Sequence, residues 1–509
     1  MDSGTIKQRV SAAGVLVSMG IIYGDIGTSP LYVFKAIVGE SIITEDLVLG
    51  GVSCVFWTLT LITSIKYVYL ALNADNKGEG GIFALYALVR KYKAKWVVYL
   101  AIIGCATLIS DGFITPAISI SSAIEGLTIN NPNIPTVPIV IVILILLFFF
   151  QQFGTSVVGK TFGPIMMVWF ITLAVFGMIH LSQNPSVLKA LNPMYAINLL
   201  VNYPGGFWLL GAVFLCTTGA EALYSDLGHC GKNNIRVGWG FVKVSLLINY
   251  FGQAAWLLTL EGSTLDGQIP FYAIVPDGFL IFSIAIATMA AVIASQALIS
   301  GTFTLVNEAM KLKLWPITKV RYPSQIKGQI YLPTINWMLL AGTILVVLIF
   351  RESSAMEGAY GLAITFDMLM TTTLLVYFFT TVKKSKLRST ILALVFFSIE
   401  GMFLISNLSK FEHGGWFTFT IALFFFLLMF ILVKARGLRD RHTEFVDLKH
   451  YIPMMQDMQA DTSIHKEATN LVYMAVADSQ RAIDSNIIYS IFKKRPKRAD
   501  VYWFIHVDT

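Results

Sequence analysis

Charged residues are scarce in this chain. Only 13% of its 509 residues are Asp, Glu, Lys or Arg, against 56% that are hydrophobic. A soluble domain carries about 25% charged residues, so a soluble globular protein is excluded for most of the length. Cysteine is also rare. Cys54, Cys105, Cys216 and Cys230 are scattered through apolar segments without metal-ligand spacing, which points to packing. There is no glycine-rich phosphate loop, so nucleotide hydrolysis has no support. No nucleophile–base pair or metal cluster is visible either, which argues against an enzyme. The first apolar segment is too long for a signal peptide and lacks a cleavage site, so it reads as retained.

Apolar runs of about 18 residues or more recur along the chain, the mark of a polytopic helical membrane protein. Spans are predicted near 12–36, 47–72, 96–127, 136–152, 163–182, 205–227, 236–260, 277–310, 335–350, 355–381, 389–408 and 414–434. The net charge of +7 could suggest a nucleic-acid partner, but its distribution follows membrane topology instead. One set of alternate loops carries Lys7 and Arg9; Lys77, Arg90, Lys91, Lys93 and Lys95; Lys160; Lys232 and Arg236; Lys311, Lys313, Lys319, Arg321 and Lys327; and Lys383, Lys384, Lys386 and Arg388. The other set holds little beyond Lys189, Arg351 and Lys410, and is acidic around Glu40, Glu45 and Asp46. The positive-inside rule then predicts about twelve spans in a plasma membrane, with both termini cytoplasmic.

Residues 1–435 are read as the transmembrane domain. From 436 onward, opening with Arg436, Arg439 and Arg441, the character changes. "NLVYMAVAD", "NIIYSIFKK" and "ADVYWFIHVD" read as strand, helix and strand, the start of a cytoplasmic α/β domain over 436–509 that is expected to be incomplete.

Several spans contain polar residues that lipid disfavours and that commonly mark a transport path. The stretch "GIIYGDIGTSPLY", Gly20 to Tyr32, places Asp25, three glycines, Pro30 and hydroxyls inside the first span. Gly24, Gly27 and Pro30 interrupt the helix and free backbone groups that must be satisfied by protein, water or a ligand. A kink with Asp25 as a simple cap is the alternative. In "SDGFITPAISISSAIEG", Asp111, Thr115 and Ser119 follow at i, i+4 and i+8 and share one helix face. Pro116 frees the Gly112 carbonyl. That oxygen-rich face suits a hard cation, with interhelical packing by small polar residues as the alternative. Glu125 stands about 21 Å further along and reads as an access-side or structural group.

"CTTGAEALYSDLGHCG" interrupts the sixth span, with Gly219 at the break and Thr218 and Glu221 one turn apart. A salt bridge from Glu221 to Lys243 is the alternative there. His229 reads as interfacial. Tyr360 and Asp367 lie on the tenth span and Glu400 on the eleventh, the last read as a packed or protomer-contact carboxyl as readily as a functional one. Lys66 and Lys243, near helix ends, are expected to snorkel.

Breaks in the first and sixth spans suggest that spans one to five and six to ten form an inverted repeat, with a binding site near mid-membrane between the first, third, sixth and tenth spans. Spans eleven and twelve would be peripheral. The residues alone support a cation-coupled transporter with the ion open between K⁺ and Na⁺. An amino-acid permease shares this architecture but needs backbone N–H groups for a carboxylate, which aspartate in the break disfavours. A cation channel is the other alternative.

The stretches "YGDIGTSPLYVFK", "NADNKGEGG", "SDGFITPAISISSAIEG", "CTTGAEALYSDLGH" and "EGAYGLAIT", in this order, resemble the hallmark motifs of the KUP/HAK/KT potassium uptake family over about residues 10–435. The resemblance implies a LeuT-type fold of the APC superfamily, bacterial potassium import coupled to protons, a homodimer, and a regulatory C-terminal domain for which a cyclic dinucleotide is a family-level ligand. No cofactor is implied beyond the transported K⁺ and H⁺. Carried over by motif, Asp25, Tyr32, Asp111, Thr115, Ser119, Thr218 and Tyr360 would line the potassium site, together with carbonyls exposed by the breaks. Asp111 or Glu221 would carry the proton, while Gly24, Gly27, Pro30, Glu125 and Gly219 would gate or shape the path. Two positions depart from the family pattern. Ser110 stands where glycine is common, and "ITFDMLMTT" puts Asp367 where an uncharged residue is usual.

Overall fold

The computed structural model describes residues 10–92, 94–129, 131–153, 159–323, 330–442, 444–475, 477–479 and 482–505. Lys7, Arg9, Lys93 and Lys327 of the basic loops lie outside them, as do the side chains of Lys160, His229 and Arg441. The chain divides into two compact units, Met1–Ala309 with Ile317–Leu427, and Met310–Pro316 with Leu428–Thr509.

Among the described residues, eleven helices are long and apolar enough to cross a membrane, and a twelfth span results if one bent pair is counted. That pair is the first span, Ala12–Ile21 followed by Gly24–Leu31, which meet at 70°. The others are Glu45–Asn73, Val97–Ile129, Thr136–Phe153, Thr161–Gln183, Gly206–Ser225, Lys232–Leu260, Leu280–Lys311, Pro333–Phe350, Ser353–Thr381, Lys386–Leu408 and Phe411–Arg439. They are numbered here as spans two to twelve. Each falls within a few residues of its predicted position, because continuous apolar runs bounded by charge or glycine leave little freedom.

Local chemistry sets several ends. Ser11 accepts from the Gly14 N–H at 3.0 Å and Thr44 from the Leu47 N–H at 3.2 Å, so each caps a helix start. Glu45 and Asp46 add negative charge to the first turn of the second span. That span widens to a π-helix over Leu59–Leu70. Such widening changes which side chains share a face and is common at functional positions. The tenth span packs along the third and eleventh, and the seventh along the fifth. The broken first and sixth spans meet the face that the third and tenth spans present.

In the second unit, β1 (Phe445–Asp447), β4 (Ala482–Asp484) and β3 (Ala477–Ser479) form an antiparallel sheet in that order. β2 (Lys466–Met474) pairs in parallel with β5 (Arg498–Ile505), and helix Ser485–Tyr489 with its continuation Ser490–Lys494 lies between them in sequence. This is the predicted strand–helix–strand order, since parallel strands need a crossover connection. The antiparallel sheet and helix Ile452–Ala460 were not predicted, because their apolar segments are too short to show a period. Met455, Met458, Ala475, Ile483, Ile488 and Ile491 form the buried core of this unit.

Candidate functional site

The first break is held together by donors from other spans. Helix Ala12–Ile21 ends, the chain restarts at Gly24–Thr28, turns tightly over Ser29–Leu31 and resumes at Val33–Val38. The Gly27 carbonyl accepts from Trp169 Nε1 at 2.9 Å, and the Pro30 carbonyl accepts from Gln253 Nε2 at 3.0 Å. The Asp25 carbonyl accepts from Thr28 Oγ1 at 2.9 Å. Backbone groups freed inside a membrane must be satisfied, and here side chains of the fifth and seventh spans satisfy two of them. The Gly27 and Pro30 carbonyls of the break therefore each serve a protein donor with one of their two lone pairs. Gly24 and Gly27 let the break pass tightly between the eighth and fifth spans, against Ala294 and Phe170.

The second break lies opposite. The sixth span runs through Leu210–Val213 and a tight turn at Phe214–Thr217, breaks at Thr218 to Glu221, and restarts at Ala222–Ser225. Gly219 has φ +80, and a Cβ there would lie 2.8 Å from Asp25 Cβ and 2.8 Å from the Ile26 nitrogen. The two interruptions are thus in direct contact, and only a glycine permits that approach with that backbone conformation.

Side-chain oxygens from four spans converge around this contact. Ser29 Oγ lies 3.1 Å from Thr218 Oγ1, and Tyr32 Oη lies 3.3 Å from the same oxygen. Thr28 Oγ1 lies 3.4 Å from Ser119 Oγ. Thr115 donates to Asp111 Oδ1 at 2.8 Å, as their i, i+4 spacing predicts. The Tyr360 hydroxyl donates to Asp25, 3.1 Å from both carboxyl oxygens. Asp25, Tyr32, Asp111 and Tyr360 are within electrostatic reach of one another. All seven predicted potassium-site residues are buried. No lysine or arginine pairs with Asp25 or Asp111 among the described residues, so the field of this site favours a cation.

Ser29 and Thr28 join the set although only their presence in the opening stretch hinted at it. Gln253, a polar residue inside the apolar run "NYFGQAAW", was the available signal for the seventh span's contribution.

Glu125 stands apart from the oxygen cluster. It accepts from Ser353 N and Ser353 Oγ, both at 2.6 Å, and pairs with Lys35 at 3.2 Å. It therefore caps the start of the tenth span with a negative charge, a structural use. Glu125→Ala is expected to lower stability by about 2 kcal/mol, read as a fall in unfolding temperature of the purified chain in detergent. Glu125→Gln should lose about half as much, since it keeps an acceptor but not the charge.

Glu221 does not pair with Lys243. Lys243 Nζ donates to Thr60 Oγ1 at 3.0 Å, whereas Glu221 accepts from the Tyr67 hydroxyl and lies 3.5 Å from Thr371 Oγ1. Lys66 also departs from expectation. It does not snorkel but is fully buried, paired with Glu400 at 2.6 Å. A helix wheel cannot show this, because the partner lies 334 residues away. The available signal was two opposite charges inside separate apolar spans, which a membrane strongly favours bringing together.

A family model described as the K⁺ potassium transporter integral membrane domain matches residues 12–437. The probable potassium transport system protein Kup of Cytophaga hutchinsonii is 56% identical over 507 residues, covering 98% of this chain and 77% of that protein. Its namesake in Flavobacterium psychrophilum is 54% identical, covering 99% and 78%. Among solved structures, a manganese transporter of Eremococcus coleocola aligns over 84% of this chain and 94% of its own, at 14% identity and a TM-score of 0.40. With a family model matched over most of its length and relatives this similar along nearly all of it, the chain belongs to the KUP/HAK/KT potassium transporter family.

Proposed function

We propose that this chain imports potassium by proton symport, through alternating access around an ion site between the broken first and sixth spans. The observation that carries the reading is the contact of the two breaks at Gly219 and Asp25, with hydroxyls and carboxyls of four spans gathered around it. Paired broken spans are the arrangement expected where two inverted five-span repeats meet. Dehydrated K⁺ is held by Tyr32, Thr115, Ser119 and Thr218, with Asp25 and Asp111 supplying negative charge. Tyr360 fixes Asp25. The basic loops lie in the cytoplasm.

Energetics give the proton a use. Moving one charge through 100 mV is worth about 2.3 kcal/mol. At about 1.4 kcal/mol per tenfold ratio, the membrane potential alone supports roughly 1.7 decades of accumulation. One co-imported proton raises this to about 4.6 kcal/mol, or roughly 3.4 decades, before any pH gradient is counted. Asp111, beside the ion, and Glu221, at the end of the second break, are the carboxyls we assign to carry it.

The test is rubidium uptake into proteoliposomes with separately imposed pH and voltage gradients. Uptake should rise with an inward proton gradient at clamped voltage, and replacing both Asp111 and Glu221 by their amides should remove that response. Transport indifferent to the pH gradient at clamped voltage would overturn the symport reading. Amino-acid flux without rubidium uptake would overturn the choice of ion.

A further inference from the structure

Asp367 is a carboxyl that the ion site does not use. It lies on the tenth span, seven residues and about 10 Å beyond Tyr360. Its side chain is fully buried. Gly104 of the third span makes room for it, since a Cβ there would lie 2.8 Å from Asp367 Oδ1. Neither carboxyl oxygen receives a hydrogen bond from any donor among the described residues. An ionised carboxylate in that state costs several kcal/mol, far more than the neutral acid.

Lys66 and Tyr67 of the second span, Asp111 and Cys105 of the third, and Glu221 of the sixth lie within electrostatic reach of Asp367. Glu400 of the eleventh span lies behind Lys66, and Glu308 of the eighth lies by Cys105. Lys66 is the one cation in this set, and its three N–H donors are already placed: Glu400 Oε1 at 2.6 Å, the Met368 carbonyl at 2.9 Å and the Tyr67 hydroxyl at 3.1 Å. Tyr67 in turn gives its own proton to Glu221. Lys66 and Glu400 cancel in charge, which leaves Glu221 and Asp367 without a counter-ion of their own. Glu221 Oε2 lies 3.5 Å from Thr371 Oγ1, and Thr371 stands one helical turn from Asp367 on the tenth span, so the Glu221 carboxyl borders the Asp367 side chain; two carboxyls can bond only through a proton.

We propose that Asp367 and Glu221 form a proton-sharing carboxyl pair, making Asp367 a second proton-binding residue of this transporter. One proton resides on Asp367 and is donated to Glu221, which also accepts from Tyr67, so the pair carries a single negative charge. Two carboxyls in one buried site hold such a proton jointly rather than as independent groups. It lies on the side of the ion site nearer the basic loops. The use of this proton in transport rests on the symport reading above, whereas the pair itself does not.

Two measurements on the full chain in liposomes separate these claims. In pH-difference infrared spectra, a protonated-carboxyl C=O band is expected that disappears in Asp367→Asn and shifts in frequency in Glu221→Gln. A band unchanged in both variants overturns the pair, and the Glu221→Gln spectrum decides alone if Asp367→Asn does not fold. In proton-driven rubidium uptake, Asp367→Asn should move the alkaline limb of the pH profile to lower pH by about one unit or more, because the shared proton loses the carboxyl on which it resides. An unmoved limb overturns the role of the pair in coupling. Wild-type uptake indifferent to a pH gradient, with the band present, overturns symport and leaves the pair standing.

Discussion

Lys66→Met is expected to remove about 3–5 kcal/mol of stability and with it most of the folded protein recovered from the membrane. Lys66 and Glu400 are both fully buried and meet at 2.6 Å. Removing the ammonium leaves the Glu400 carboxylate with Thr372 as its remaining donor, at 3.0 Å, and with Oε2 already lacking a partner among the described residues. It also removes the donor to the Met368 carbonyl and the cation 4.6 Å above the Tyr67 ring. The double variant Lys66→Met with Glu400→Leu should recover most of the loss, since a buried ion pair replaced by apolar residues of similar volume is often neutral or better. Recovery should be incomplete because the Met368 carbonyl, which keeps only its intrahelical bond, still lacks the Lys66 donor. Monodisperse yield and unfolding midpoint in detergent measure both effects. Single variants as stable as the wild type, or a double variant no better than the singles, would show that the pair is not what holds the second, tenth and eleventh spans together.

Gly219→Ala should abolish transport while leaving the chain folded. Its Cβ would stand 2.8 Å from both Asp25 Cβ and the Ile26 nitrogen, the second of which is backbone and cannot swing aside. The left-handed conformation at φ +80 adds about 1–2 kcal/mol for a residue with a Cβ. Relief requires the two breaks to separate, which carries Asp25 away from Tyr360 and Thr218 away from Tyr32. A misplacement of about 1 Å is enough to cost about a hundredfold in a positioned site, so rubidium uptake should fall at least that far at unchanged expression. Gly219→Asn tolerates the backbone conformation but keeps the clash, and should fail equally. Gly205→Ala is the control: Gly205 also has positive φ, but no atom lies within 4 Å of its added Cβ. Wild-type uptake by Gly219→Ala would remove the contact between the breaks as the basis of the site.

Much of this was legible from the chain alone, for identifiable reasons. The spans follow from apolar run length, since lipid leaves no other solution for about 20 such residues. The breaks at Gly20 to Tyr32 and at Thr218 to Glu221 were visible because glycine, proline and carboxylate together are conspicuous against an apolar background. The face of Asp111, Thr115 and Ser119 follows from helical period, a local property. Other features were not legible because they depend on partners remote in sequence. Lys66 looked like a snorkelling lysine until Glu400 was placed beside it. Trp169 gave no sign that it donates to a carbonyl of the first break, and Gln253 showed only as a polar residue inside an apolar run.

The sequence by itself therefore determined the number of spans, where two of them break and which residues carry charge or hydroxyls into the membrane. These are one-dimensional properties, set by composition, periodicity and the cost of unsatisfied groups in lipid. Only the tertiary structure decided which freed carbonyls already take a protein donor, that Gly219 rests on Asp25, that Lys66 belongs to Glu400, and that Asp367 is buried without a donor. Those depend on which side chains meet across spans. Inside a membrane the meeting decides the chemistry, because a buried charge takes its character from its partner.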